Sequence, residues 1–225
     1  MNMERPCPIV FDLDGTLIDS APDIHACVNI VLRQHRMAPL SLTRVRSFIG
    51  GGVELLWTRI IAATDIDPVH RPALIAAFMA RYHDATSLTR LFPGALEAMG
   101  RLADAGHPLG LCTNKPMGPT RVVLEHFGFS SLLSAVIAGD SLPQKKPDPA
   151  PLRMALEMLG AAGPAPAALY VGDSEFDAEC AAAVPVPFLL FTGGYRLKPA
   201  EELPHTARFT DFLALPDLVD RAKAA

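Results

Sequence analysis

Residues 9–16 read IVFDLDGT, and the order of their side chains decides how the rest of the chain is read. The apolar run from Ile9 to Leu13 has the length and composition of a buried strand. Side chains two apart on an extended segment point the same way, so Asp12 and Asp14 emerge together near its end. Gly15 permits a sharp exit, and Thr16 adds a hydroxyl. Taken alone, an Asp-Gly pair after a strand also serves as turn chemistry, so the weight falls on what lies downstream.

Four further short apolar runs follow, at Pro108 to Cys112, Ala135 to Ala138, Ala168 to Val171 and Phe188 to Phe191. Between them, Gly94 to Ala105, Gly118 to Phe127, Pro149 to Leu159 and Glu175 to Ala183 have helical spacing. Several open on Pro or Gly and close near Gly106, Gly128 and Gly160. Such alternation predicts an α/β core, a parallel sheet wrapped by helices. From Leu17 to about Arg90 the rhythm stops. That interval has no good strand, only helical patterns at Ile24, Val28, Val31 and Leu32, then Leu55 to Ile61, then Leu74 to Phe78. It predicts an inserted helical domain, residues 17–90, within a core made of 1–16 and 91–225. The hinges fall at Leu17 to Ser20 and Ser87 to Pro93, and the tract Gly163 to Ala167 reads as a Pro/Ala loop.

The chain has 225 residues, half of them apolar, enough for a sizeable core. Its formal net charge is −4 and no block of lysines and arginines stands out, so neither nucleic acid nor an anionic membrane is an expected partner. No stretch approaches the roughly 20 apolar residues of a membrane span, and Met1 to Pro8 lacks the apolar run of a signal peptide. A cytoplasmic protein, monomeric or homodimeric, is expected. Cys7, Cys27, Cys112 and Cys180 show no metal spacing, which predicts reduced, buried thiols.

Three more segments repeat the geometry of the first. LGLCTNK ends an apolar run at Thr113 and Asn114, whose polar groups suit a phosphate oxygen or, equally, a helix cap. QKKPDP brings Lys145 and Lys146 just beyond another strand, and LYVGDSEFDAE sets Asp173 at the end of a third with Asp177 one helical turn later. Each has a bland reading as a turn, cap or solvated loop. Together they gather carboxylates, a threonine and a lysine past the carboxyl ends of strands, where open α/β sheets place their ligand crevice. Asp12, Asp14 and Asp173 converging there repel one another unless a cation intervenes. The absence of nearby His and Cys ligands favours Mg2+ over zinc, and with Lys146 the crevice attracts a phosphate dianion.

The order DxDGT, strand-Thr-Asn, KPxP and GDxxxD resembles the haloacid dehalogenase superfamily of phosphohydrolases. The motifs together span nearly the whole chain. The resemblance implies a Rossmann-like three-layer core with a small helical cap inserted after the first motif. It also implies roles: Asp12 as nucleophile, Asp14 as general acid and then base, and Thr113 and Lys146 as catalytic groups on the phosphoryl oxygens. Asp12, Asp14 through its backbone carbonyl, and Asp173 would bind Mg2+, with Asp177 orienting a metal-bound water or the lysine. Lys145 is set aside because the family lysine directly precedes Pro-x-Pro, here Pro147-Asp148-Pro149.

Finer likeness points to the leaving group. FDLDGTLIDSAPDI, the segment RSFIGGG from Arg46 to Gly52, TNKP and PFLLFTGGY resemble the phosphoglycolate phosphatases of bacteria, which implies a small phosphorylated metabolite, 2-phosphoglycolate, as substrate. A carboxylate-bearing ester wants a cation, for which Arg46 and Lys115 are candidates, beside the amides of Gly50 to Gly52. Thr16 and Asn114 complete the expected substrate contacts. A phosphomutase of the same superfamily, or a broad sugar-phosphate phosphatase, would keep the same core residues. Trp57 and the Leu55-Leu56 pair are expected to pack the helical insert, and none of His25, His35, His83 and His107 is expected to act in catalysis. Pro185 stands where the superfamily often has an alanine-glycine turn.

Overall fold

The computed structural model describes residues 6–163 and 167–223. Residues 1–5, part of the segment read as lacking a signal peptide, and 164–166, within the Pro/Ala tract, lie outside the described residues. The chain opens with strand β1 (Ile9–Phe11), the two-residue β2 (Ile18–Asp19) and four helices, α1 (Ala21–Gln34), α2 (Leu42–Arg46), α3 (Gly52–Ala62) and α4 (Arg71–Tyr82). It continues through β3 (Arg90–Leu91), α5 (Ala95–Asp104), β4 (Leu109–Cys112), α6 (Met117–His126), β5 (Leu133–Ile137) and α7 (Ala150–Met158). Then come β6 (Leu169–Gly172), α8 (Glu175–Ala183), β7 (Phe188–Phe191), β8 (Ala207–Phe209) and α9 (Leu215–Lys223).

Six strands form one parallel sheet in the order β5-β4-β1-β6-β7-β8. Their side chains alternate between two cores, as a strand covered on both faces requires. Ile9, Phe11, Leu109, Leu111, Leu169 and Val171 face α5, α6 and α9, while Val10, Cys112, Tyr170 and Leu190 face α7 and α8. Gly110 keeps this second face low: a Cβ there would meet Leu159 Cδ1 at 2.9 Å. The result is the expected three-layer α/β core.

Helices α1 to α4 bury a third cluster of their own, including Val28, Leu32, Trp57, Ile60, Phe78 and Tyr82. Each such side chain removed from water contributes about 1.5–3 kcal/mol. Trp57 is fully buried, edge-on to Phe78 at 5.9 Å. The two connectors between this bundle and the sheet are zipped together. β2 pairs antiparallel with β3, and buried Asp23 accepts from the backbone N–H groups of Leu88 and Thr89 and from the Thr89 hydroxyl. The interval 17–90, read as strandless, thus begins and ends in a two-stranded ladder whose strands are too short to show a period of two.

Other differences have local causes. β1 stops at Phe11 because the Leu13 carbonyl accepts from the N–H groups of Thr16, Leu17 and Ile18, folding the chain into a tight turn. β8 and α9 extend the sheet and its first face beyond the motifs. Pro185 holds φ at 25° in the turn between α8 and β7, far from the value near −65° that its ring favours. Cys7, Cys27, Cys112 and Cys180 are buried and form no disulfide. Among the described residues no helix is long and apolar enough to cross a membrane.

Candidate functional site

The strand order reverses between β1 and β6, since the chain leaves β1 towards β4 and β5 and returns to β6 on the other side. Ligands of open α/β sheets bind outside the carboxyl ends of the strands at such a switch point. Asp12 follows β1 and Asp173 follows β6, so the neighbouring strands deliver two carboxylates to one spot. Thr113 follows β4, and Lys146 lies in the loop after β5.

Lys146 is the electrostatic centre of this site. Its side chain is 2 % exposed, and Nζ lies 2.7 Å from Asp12 Oδ1, 2.7 Å from Asp177 Oδ1, 2.8 Å from the Cys112 carbonyl and 2.9 Å from the Tyr170 hydroxyl. Burial works against the ammonium, but Asp12 and Asp177 outweigh it and hold Lys146 above the ordinary lysine range. Asp177 is saturated. Its oxygens accept from Lys146, the Tyr170 hydroxyl, the backbone N–H of Asp173 and both the N–H and the hydroxyl of Ser174. Burial opposes its charge, yet Lys146, Ser174 and Tyr170 keep this carboxyl below the usual range. Asp177 therefore fixes the lysine and caps α8, and a role on a metal-bound water is less well served.

Thr16 is turned to a different task from the expected substrate contact. Its hydroxyl donates to Asp173 Oδ1 at 2.8 Å, and the Tyr195 N–H donates to Asp173 Oδ2 at 2.6 Å. Gly15, at φ 92°, lets the first loop pass this carboxylate, since a Cβ there would meet Asp173 Oδ2 at 2.6 Å. Burial first, then Asp177 and Asp12, push Asp173 well above the usual carboxylate range. Burial and Asp177 likewise push Asp12 up to about 7 against the pull of Lys146.

Oxygens of Asp12, Asp173 and Asp177 lie within 4.8 Å of one another. With Asp14 beside them, four carboxylates face two ammonium groups, Lys146 and Lys115. With all four ionised, two negative charges would be in excess in a buried place; that repulsion is part of what raises Asp12 and Asp173, and a divalent cation would relieve it. The donors are all oxygen, the set that a hard cation such as Mg2+ prefers. Since Asp177 has its hydrogen bonds filled, Asp12 and Asp173 are the side chains of the trio left to face an ion.

A cavity of about 40 Å3 opens between this site and the helical bundle, room for roughly three waters at about 10–15 Å3 each. Asp12, Asp14, Thr113 and Lys115 form its polar wall, and Ile24, Ile49, Val53, Leu56 and Phe78 its apolar one. Leu56 packs in the bundle core as expected and also lines the cavity. Gly50 and Gly52, at the start of α3, also reach it. Lys115 is 1 % exposed, with Nζ 3.2 Å from Asp14 Oδ1.

Asn114 lines the cavity, and its side chain already has partners. The Asn114 amide donates to the Gly50 and Lys146 carbonyls and its oxygen accepts from the Lys146 N–H, so it joins the α3 loop to the lysine loop. Arg46 is not among the cavity-lining residues; its guanidinium pairs with Asp19 at 3.1 Å and lies over the Tyr195 ring. The Tyr195 hydroxyl in turn donates to Asp19. Sequence reasoning missed Tyr82, Tyr170 and Tyr195. Tyr170 and Tyr195 lie in the quoted segments LYVGDSEFDAE and PFLLFTGGY, which assigned them no role, and Tyr82 left no trace.

A parallel sheet with acidic loops, a buried lysine and a helical bundle over the crevice defines a hydrolase of a recognisable class. Residues 9–191 match the profile of the haloacid dehalogenase-like hydrolases, and the chain belongs to that family. It is 50% identical over 219 residues to a Cereibacter sphaeroides protein named phosphoglycolate phosphatase, covering 96% of this chain and 99% of that one. A protein of the same name from Rhodospirillum rubrum is 41% identical, with 94% and 90% covered. Among solved structures, one described as a predicted phosphoglycolate phosphatase from Haemophilus somnus superposes with a TM-score of 0.87 at 29% identity, covering 97% of this chain and 99% of that one.

Proposed function

We propose that this protein is a Mg2+-dependent phosphoglycolate phosphatase that works through an aspartyl-phosphate on Asp12. The observation that carries the reading is the small cavity in which Asp12, Asp14 and Thr113 share a polar wall with Lys115. Its lysine, the cation on that wall, suits a leaving group that bears a carboxylate. The names of the relatives agree with this choice.

Asp12 Oδ attacks phosphorus while the bond to the substrate's ester oxygen breaks, and Asp14 gives its proton to the departing alkoxide. Asp14 then takes a proton from water as the water oxygen attacks the phosphorus of the aspartyl-phosphate, releasing phosphate and restoring Asp12. Lys146 and the Thr113 hydroxyl hold the phosphoryl oxygens, and Asp177 keeps Lys146 charged and in place. Asp12, the Asp14 carbonyl and Asp173 would hold Mg2+. When bound, the ion would supply positive charge to the phosphoryl oxygens and keep Asp12 ionised. Residues 17–90 act as a cap whose closure excludes water from a core of 1–16 and 91–225.

Phosphate release from a panel of esters, with Mg2+ and with chelator, tests the assignment. The expected result is chelator-sensitive turnover with kcat/KM for 2-phosphoglycolate at least about tenfold above hexose phosphates. Equal rates across the panel, or an isomerised sugar phosphate in place of free phosphate, would overturn it.

The cation requirement has a separate signature in stability. Asp12 titrates from the unfolded value of 3.8 up to about 7 in the metal-free fold, so between these values the folded state holds a proton that the unfolded state has released. The stability linked to that proton is present below about pH 4 and lost as pH rises towards about 7. Relative to Asp12→Asn, chelated wild-type protein should therefore lose thermal stability across this window. Added Mg2+ should raise its midpoint more at about pH 8 than at about pH 5, because protons compete for the ligand. A shift independent of pH would count against carboxylate ligation.

A further inference from the structure

Tyr82, the last residue of α4, brings to the cavity a polar group that the reaction described above leaves unused. Its phenol is buried, lines the cavity and accepts a hydrogen bond from Lys115 Nζ. The same ammonium lies 4.2 Å from the centroid of the Tyr82 ring and 3.2 Å from Asp14 Oδ1. An ammonium has three N–H donors. Tyr82 and Asp14 take two of them, which leaves one for a ligand. The phenol, having accepted from Lys115, keeps its own proton to donate. Burial first and Asp14 second push this phenol well above its ordinary range, so it stays protonated at working pH. Among the described residues Lys115 is the sole cation that lines the cavity, and Phe78, stacked on Tyr82 at 4.8 Å, belongs to the apolar wall beside it.

We propose that Tyr82 and Lys115 together form the subsite for the carboxylate of the substrate, with Tyr82 the specificity-determining residue contributed by the helical bundle. The inference rests on the phosphatase reading and adds to it the group that reads the leaving half. Two donors, one phenolic and one ammonium, sit side by side and match the two oxygens of a carboxylate, whereas the hydroxyls of a sugar neither carry the charge nor offer the paired acceptors. Asp14 serves as counter-ion to Lys115 in the free protein. A substrate carboxylate takes over part of that ammonium's hydrogen bonding through the N–H that Tyr82 and Asp14 leave unused.

The test compares kcat/KM for 2-phosphoglycolate and for 2-hydroxyethyl phosphate, which replaces the carboxylate with a neutral hydroxymethyl group. Tyr82→Phe removes the hydroxyl and keeps the ring stacked on Phe78. Its ratio of the two kcat/KM values should fall about tenfold or more below that of wild type, the loss expected for one hydrogen bond to a charged group. Lys115→Gln should lower the ratio further and supplies the same reading if Tyr82→Phe folds poorly by circular dichroism. A residue that only packs would change both esters alike. A wild-type preference for 2-phosphoglycolate that survives unchanged in both variants overturns the subsite alone. A wild-type protein without that preference overturns the subsite and the proposed function together.

Discussion

Replacing Asp12 by Asn abolishes phosphate release, lowering kcat by about 10^4-fold or more, because the amide oxygen cannot form the acyl-phosphate. The fold survives, since Asn fills the same volume after β1 and removes a negative charge from a site where Asp12, Asp173 and Asp177 oppose one another. The chelated variant should melt no lower than wild type. Its partner experiment is Asp14→Ala, which leaves the nucleophile intact but removes the group that activates water, so phosphorylated Asp12 accumulates. Borohydride reduction of the acyl phosphate followed by peptide mass analysis reads the label at Asp12. Turnover retained in Asp12→Asn, or a label found on another residue, would sink the nucleophile assignment.

The core was legible because each strand is an apolar run closed by Gly, Pro or Asp, and because parallel strands buried on both faces need continuous apolar sequence. The switch point was legible for a related reason: Asp12 and Asp173 each follow such a run directly, so their neighbourhood in space follows from strand pairing alone. What escaped notice is polar and distant in sequence. Thr16 sits inside the first motif and reads as a substrate contact, yet its hydroxyl is committed to Asp173, 157 positions away. Asn114 reads the same way, and its amide ties the α3 loop to the lysine loop. Neither side chain announces its partner, since hydrogen bonds between loops leave no periodicity.

Arg46 shows how a charge argument misplaces a residue. A carboxylate-bearing substrate wants a cation, and the sequence offered Arg46 and Lys115. Only Lys115 lines the cavity; Arg46 is held by Asp19 and Tyr195 at the seam between bundle and sheet. The difference is one of position on the chain. Lys115 is three residues past the end of β4 and shares the site with Thr113, whereas Arg46 ends the short helix α2, whose direction no pattern fixed. The hinges at Leu17 to Ser20 and Ser87 to Pro93 fall where β2 and β3 lie, and their ladder was invisible because two residues cannot display alternation.

Lys146→Met removes the cation that lies between Asp12 and Asp177, and it should be the most damaging single change to both stability and turnover. Breaking a buried ion pair by deleting one partner costs about 3–5 kcal/mol, and Lys146 serves two carboxylates and two neutral oxygens at once. Turnover should fall by about 10^3-fold through loss of a preorganised charge on the phosphoryl group. The stability loss carries a sign in pH. In wild type the Asp177 carboxyl lies below its unfolded value of 3.8 because Lys146 outweighs burial, so its contribution is present above about pH 4 and lost as pH falls through the folded value. Without the lysine, burial raises the same carboxyl, and the destabilisation grows as pH rises. Urea unfolding at about pH 5 and about pH 8 should therefore show the larger deficit at the higher pH. Lys146→Met combined with Asp177→Asn should recover part of the stability while turnover stays lost, because one of the two orphaned carboxylates is gone and the phosphoryl contact is not restored. A deficit equal at both pH values would assign the damage to packing, and turnover retained in the single variant would remove Lys146 from the site.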